Sequence, residues 1–267
     1  MDNRVKLLIE NNIAYVKLAR PEKLNAIDMA MFVAINKTIK QLKKNRDIRA
    51  VVLTAEGENF CSGLDVKSVF SSPLHAMRLL FKFFPWQANL AQRVSTGWRE
   101  LPVPVIAVIK GKCWGGGLQI AMGADFAIAQ PNAEFSIMEG RWGLIPDMGG
   151  TLAFREKLNL ATVKELAMTA KIISGMEAYT LGLVSHVDEK PEQVAQSLIT
   201  SLISQSPDSI AGCKKLYNKS WFSSPGMALF RESYYQIRIL FGKNQKIKTY
   251  NQLNPEKTKP FKKRKFK

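Results

Sequence analysis

Two short apolar runs, residues 50–54 and Val105–Ile109, each lead within a few residues into a glycine-bearing turn. Neither run alternates polar with apolar side chains, so each reads as a buried strand rather than a surface one. Around them the spacing is legible. Val5–Glu10 and Ile13–Leu18 are β-prone and separated by Asn11-Asn12, which predicts a hairpin. Phe32, Ile35, Ile39 and Leu42 recur at the spacing of one helix face, predicting a helix over Met29–Lys44. Residues 68–100 read as largely helical with breaks near Pro73 and Pro85, and residues 125–130 as a further strand. From Thr151 onward the pattern is almost wholly helical, with candidates at 154–157, 161–169, 176–181, 191–205, 207–219 and 227–241. Strand–helix alternation followed by a helical last third predicts a mixed α/β core with a helical appendage.

The chain of 267 residues is long enough to bury such a core without staples. Its apolar runs fall far short of the roughly 20 residues that cross a bilayer, so no membrane span is expected. Cys61, Cys113 and Cys213 are scattered without a CxxC pair, which argues against a disulfide framework or a zinc site. With a charged N-terminal stretch in place of an apolar leader, they predict a cytoplasmic protein. Net charge is +17, and residues 257–267 hold seven cations and no acid. Such a balance favours anionic partners without selecting among nucleic acid, membrane and phosphate-bearing small molecules.

The chemistry is expected at the two glycine turns, Asn59-Phe60-Cys61-Ser62-Gly63-Leu64-Asp65 and Trp114-Gly115-Gly116-Gly117-Leu118-Gln119. The second runs into a helix, whose first N–H groups lack partners and suit a developing anion. Glycines there let a ligand approach the backbone. Further on, Glu139 and Asp147 are isolated acids in an apolar, glycine-broken stretch, where a carboxylate can be tuned into a proton shuttle. For both acids the plain alternative is a surface loop that caps the next helix.

Taken in order, these segments resemble the crotonase (enoyl-CoA hydratase/isomerase) superfamily. The resemblance is carried by Arg20-Pro21-Glu22-Lys23-Leu24-Asn25-Ala26, by Phe60 to Lys67, and by Pro104 to Gly111 followed by Gly115-Gly116-Gly117. Gly143-Leu144-Ile145-Pro146 with Gly149-Gly150-Thr151, and Ala178 to Val184, extend it. It implies an α/β crotonase-like (ClpP/crotonase) spiral of ββα units with a helical C-terminal subdomain. The expected division is a core over 1–200, a trimerisation subdomain over 201–256 and a basic tail over 257–267.

The resemblance also assigns roles. The N–H groups of Leu64 and Gly116 would hold a thioester oxygen as an enolate forms. Glu139, Asp147 and Gln119 would be the catalytic set, with Gln119 standing where hydratases of the family carry a second glutamate. An amide neither takes nor gives a proton at neutral pH, so the reading leans from hydration to double-bond isomerisation. Coenzyme A would meet Lys23, Ala26, Cys61, Gly63, Asp65 and Lys67, and the acyl chain would meet Phe81, Phe84, Trp86 and Trp142. The acyl-CoA is substrate; no metal, flavin or nicotinamide is implied. A homotrimer or hexamer is expected, with the tail either docked on a neighbouring subunit, near a coenzyme A phosphate, or mobile. The rivals are an RNA-binding protein and a non-catalytic scaffold on the same fold.

Overall fold

The computed structural model describes residues 4–266. Strands β1 (Val5–Glu10) and β2 (Ile13–Leu18) pair antiparallel across Asn11 and Asn12, both at positive φ, the conformation a two-residue hairpin turn demands. From β2 the sheet continues in parallel through β3 (Ala50–Ala55), β4 (Val105–Ile109), β6 (Phe126–Ala129) and β9 (His186–Val187). A second, three-stranded sheet joins β5 (Lys112–Trp114), β7 (Glu134–Ser136) and β8 (Ile173–Ser174). The short strands β5, β7, β8 and β9 were not legible in the sequence, having two or three residues each and therefore no period.

Both faces of the large sheet are covered, as its unalternating strands require. Val51, Leu53, Val105, Ala107 and Ile109 point into the main core, with Phe32 and Ile35 of α1 (Met29–Lys44). The same core takes Val94 and Trp98 of α4 (Leu90–Arg99). Ala50, Val52, Ile106 and Val108 point the other way, against Ala195 and Ile199 of α9 (Pro191–Ile203). Asp28 caps α1 by accepting the Met31 N–H, and its other oxygen pairs with Arg4. Between these elements lie α2 (Val66–Val69), α3 (Pro73–Leu80), α5 (Gly116–Met122), α6 (Gly150–Lys157), α7 (Leu160–Thr169) and α8 (Gly175–Thr180).

Helices α10 (Pro207–Ser220), α11 (Pro225–Leu240) and α12 (Lys243–Leu253) pack on one another around Ala211, Tyr235 and Phe266. Buried Lys214 ties α10 to the core, donating to the Trp98 and Val103 carbonyls and to Asp125. In place of a mobile tail, the basic segment folds back on its own chain. Buried Asp208 accepts the N–H groups of Lys265 and Phe266, at 2.6 and 2.7 Å. Asn244 bridges Asp208 to the tail through Lys262. Phe266 is buried against Tyr235, and Arg49 stacks over Phe261.

Candidate active site

The first turn is placed by a polar hub. Fully buried Asn25 accepts the Arg20 N–H and donates to the Glu56 and Asn59 carbonyls. Leu24 and Asn25 both sit at positive φ, which folds this segment under the loop that follows β3. Ile27 then runs beside residues 63–65: its N–H donates to the Gly63 carbonyl, and its carbonyl accepts the Asp65 N–H. That pairing turns the Leu64 N–H to the opposite side. Among the described residues it donates to no other group.

The second turn lies directly against the first. Cys61 and Cys113 form a parallel bridge, so the Asn59–Asp65 loop and the Trp114–Gln119 turn share backbone hydrogen bonds. The approach is closer than side chains allow. A Cβ on Gly117 would lie 2.5 Å from the Cys61 carbonyl oxygen. One on Gly63 would lie 3.0 Å from the Trp114 carbonyl oxygen and 3.5 Å from the Gly116 nitrogen. Gly115, at φ +51, donates to Ser136 and hands the chain to α5, whose first residue, Gly116, has no preceding turn to accept its N–H. Gly63, Leu64, Gly115 and Gly116 all line one cavity of about 440 Å³.

Glu139 and Asp147 line the same cavity. Gln119 does not: it is fully buried behind the wall, and protein groups occupy both ends of its amide. Its Nε2 donates to Glu139 Oε1 at 2.5 Å, while its Oε1 accepts the N–H groups of Met148 and Gly150 at 2.8 and 2.9 Å. One amide thus fixes the carboxylate of Glu139 and the loop that bears Asp147. Gln119, expected in the catalytic set, therefore has no face on this cavity; its contacts are to Glu139 and to the loop that bears Asp147.

Glu139 Oε2 is buried and has no hydrogen-bond partner among the described residues. Desolvation raises the Glu139 pKa; the bonds from its own backbone and from Gln119 oppose this, and the Asp147 charge adds to it. Asp147 stands at the exposed side of the cavity, and partial desolvation raises its pKa as well, against a bond from its own backbone. Glu139 thus lines the cavity with one oxygen held, the other unpartnered and its proton affinity increased, which makes it the candidate proton acceptor of the site.

The remaining wall is apolar: Val66, Val69 and Phe70 from α2 and its end, Ala76, Leu79 and Leu80 from α3, with Trp142, Leu144, Ile145 and Met148 opposite. Trp142 lines it; Phe81, Phe84 and Trp86 do not. Helix α3 ends at Leu80, Phe81 leaves it with ψ 133°, and the three side chains stay on the outer surface. The residues missed had a signal, since Val66, Val69 and Phe70 follow helical i, i+3, i+4 spacing.

Among the coenzyme A candidates, Gly63 lines the cavity, whereas Lys23 and Lys67 are exposed at the surface. Cys61 faces inward to the Asn25 carbonyl, and burial pushes its thiol up to about 12, so its side chain is unavailable to a ligand. Asp65 is committed as well, pairing with Arg20 at 2.8 Å and capping α2 through the Ser68 N–H. The Ala26 carbonyl accepts from Arg20.

A two-sided sheet whose glycine loops offer bare N–H groups to an apolar, carboxylate-bearing cavity puts this chain in the crotonase fold. Solved structures share it: an enoyl-CoA hydratase from Mycobacterium smegmatis superposes with TM-score 0.87 at 21% identity, over 97% of this chain and 99% of that one. Another, from Thermoplasma volcanium, gives 0.82 at 26% identity, over 96% and 98%. The model of the enoyl-CoA hydratase/isomerase family matches residues 8–260, and the chain belongs to that family. Its relatives include (E)-benzylidenesuccinyl-CoA hydratase of Thauera aromatica, 32% identical over 79% of this chain and 80% of the relative. Carnitinyl-CoA dehydratase of Salmonella typhi is 30% identical over 81% of each. The family acts on acyl-CoA thioesters.

Proposed function

We propose that this chain moves a double bond in an enoyl-CoA, taking a 3-enoyl thioester to the 2-enoyl form through an enolate. Glu139 Oε2 takes a proton from C2. The electron pair passes to the thioester oxygen, where the Leu64 and Gly116 N–H groups hold the charge. Each such donor is typically worth about 3 kcal/mol to the transition state. The same carboxyl then returns its proton at C4: the C3–C4 pair forms the new C4–H bond, the enolate's C1–C2 pair becomes the C2–C3 double bond, and the thioester carbonyl re-forms. The observation that carries this reading is the unpartnered Oε2 of Glu139 beside a Gln119 whose amide oxygen already accepts two backbone N–H groups and whose Nε2 donates to Glu139 Oε1. Among the described residues, Glu139 and Asp147 are the acids that line the cavity, without the glutamate pair of a hydratase.

Hydration is the second reading, favoured by the hydratase and dehydratase names of the relatives and by the second acid, Asp147, on the same cavity. Paired incubations in heavy water separate the two. Deuterium uptake with 3-to-2 migration and no added water, lost in Glu139→Gln, is the expected result. Water addition to a trans-2-enoyl-CoA would make the enzyme a hydratase. Silence in both tubes would move the weight to other thioester chemistry, to RNA binding or to a scaffold. A trimer or hexamer belongs to the same proposal; exposed Leu229, Phe230, Ile237 and Leu240 on α11 support it, and light scattering tests it.

A further inference from the structure

Residues 70–86 hold two cations, Arg78 and Lys82, and no acid. The same stretch displays an apolar surface. Leu74 and Met77 of α3 are more than half exposed, as is Phe81, while Phe83 and Trp86 reach 79% and 80%. The aromatic rings contact each other: Phe84 stacks on Trp86 at 5.2 Å and meets the edge of Phe83 at 4.7 Å. Lys82 reaches the Pro85 carbonyl, so a cation sits within the cluster. A contiguous apolar patch of this kind marks an interaction surface.

From this surface we propose that residues 70–86 dock the protein on an anionic phospholipid bilayer. Phenylalanine, tryptophan and leucine on an amphipathic segment partition to the headgroup boundary, and flanking lysine and arginine meet anionic lipid. The segment carries no carboxylate to meet a cationic partner, whereas Arg78 and Lys82 complement anionic headgroups. Among the described residues no helix is long and apolar enough to cross a membrane, so the segment lies on the surface. The patch and the cavity share a wall: Ala76, Leu79 and Leu80 line the cavity from the inner side of α3. A bilayer docked there abuts the apolar end of the cavity. The docking itself does not depend on which reaction the cavity performs.

The test is flotation of the full chain with vesicles of phosphatidylglycerol in phosphatidylcholine, and of phosphatidylcholine alone, without any acyl-CoA. The chain should float with the anionic vesicles only. Phe83→Ser with Trp86→Ser, and separately Arg78→Glu with Lys82→Glu, should each weaken binding about tenfold or more. These are surface sites, and unchanged thermal melting confirms that the variants fold. Failure of the wild type to float overturns the proposal. So does flotation lost on neutralising Lys262, Lys263 and Lys265 but kept in both segment variants, because the tail would then be the contact. A fall in oligomeric mass for the Phe83/Trp86 variant, with no vesicle binding by the wild type, would assign the patch to a second copy.

Discussion

The floor of the cavity and its rim come from interleaved stretches of one chain, yet they are built on opposite terms. The floor is glycine turns pressed together at backbone contact, with Gln119 satisfied on both sides and Glu139 left with a single bare oxygen. The rim, residues 66–86, holds two short helices and an aromatic loop with much of its apolar surface in water. The difference separates two jobs. Positions that must hold charge to a few tenths of an ångström are over-determined, whereas those that meet a hydrocarbon chain need only be apolar and in place.

If that division is right, the largest losses come from the floor. Glu139→Gln should lower kcat by about 10²–10⁴-fold with little change in KM, measured on the substrate the heavy-water assay selects. An equal loss in kcat for a rim variant would erase the distinction. Gly117→Val comes next: its Cβ collides with the Cys61 backbone, and overpacking should cost about 1–3 kcal/mol in denaturant unfolding as well as activity. Gln119→Leu leaves the Met148 and Gly150 N–H groups without acceptors and Glu139 Oε1 without its donor. It should cost about 1–3 kcal/mol for each group left unsatisfied. Because Gln119 acts through Glu139, its conservative change to Asn should also move the pH profile of kcat.

The floor also carries a pH signature. The folded state raises the Glu139 pKa above its ordinary value of 4.5, chiefly through desolvation. Between 4.5 and the raised value the native state therefore binds more protons than the unfolded chain, so stability falls as pH rises through that window. Activity moves the other way, because the proton acceptor must be ionised. Glu139→Gln should flatten that part of the melting-temperature profile; Asp147, also raised, leaves a residual slope in the wild-type direction. The smallest effects belong to the rim. Leu80→Ala should raise KM a few-fold for long acyl chains at unchanged kcat, since about 0.8 kcal/mol is lost per buried methylene. Phe81→Ala, lying outside the cavity, should change stability by no more than about 0.5 kcal/mol.

Much was legible before any coordinates. The hairpin, α1, the buried strands and the two glycine turns follow from period and composition, because local sterics and burial act over a few residues. The ordered blocks from Arg20 to Val184 carry the family, and Glu139 stands out as an acid among apolar neighbours. What Gln119 does was not legible: its three partners lie 20 to 31 residues away, and only the fold brings them to one amide. The same holds for two cationic, aromatic stretches that look alike in sequence. The tail is drawn inward because one buried acceptor, Asp208, satisfies its backbone N–H groups and lets Phe266 bury. Among the described residues, no buried carboxylate accepts the N–H groups of residues 81–86, and their rings stay outside. Composition sets what a segment can do; a partner distant in sequence, paired through tertiary contact, decides whether it is buried.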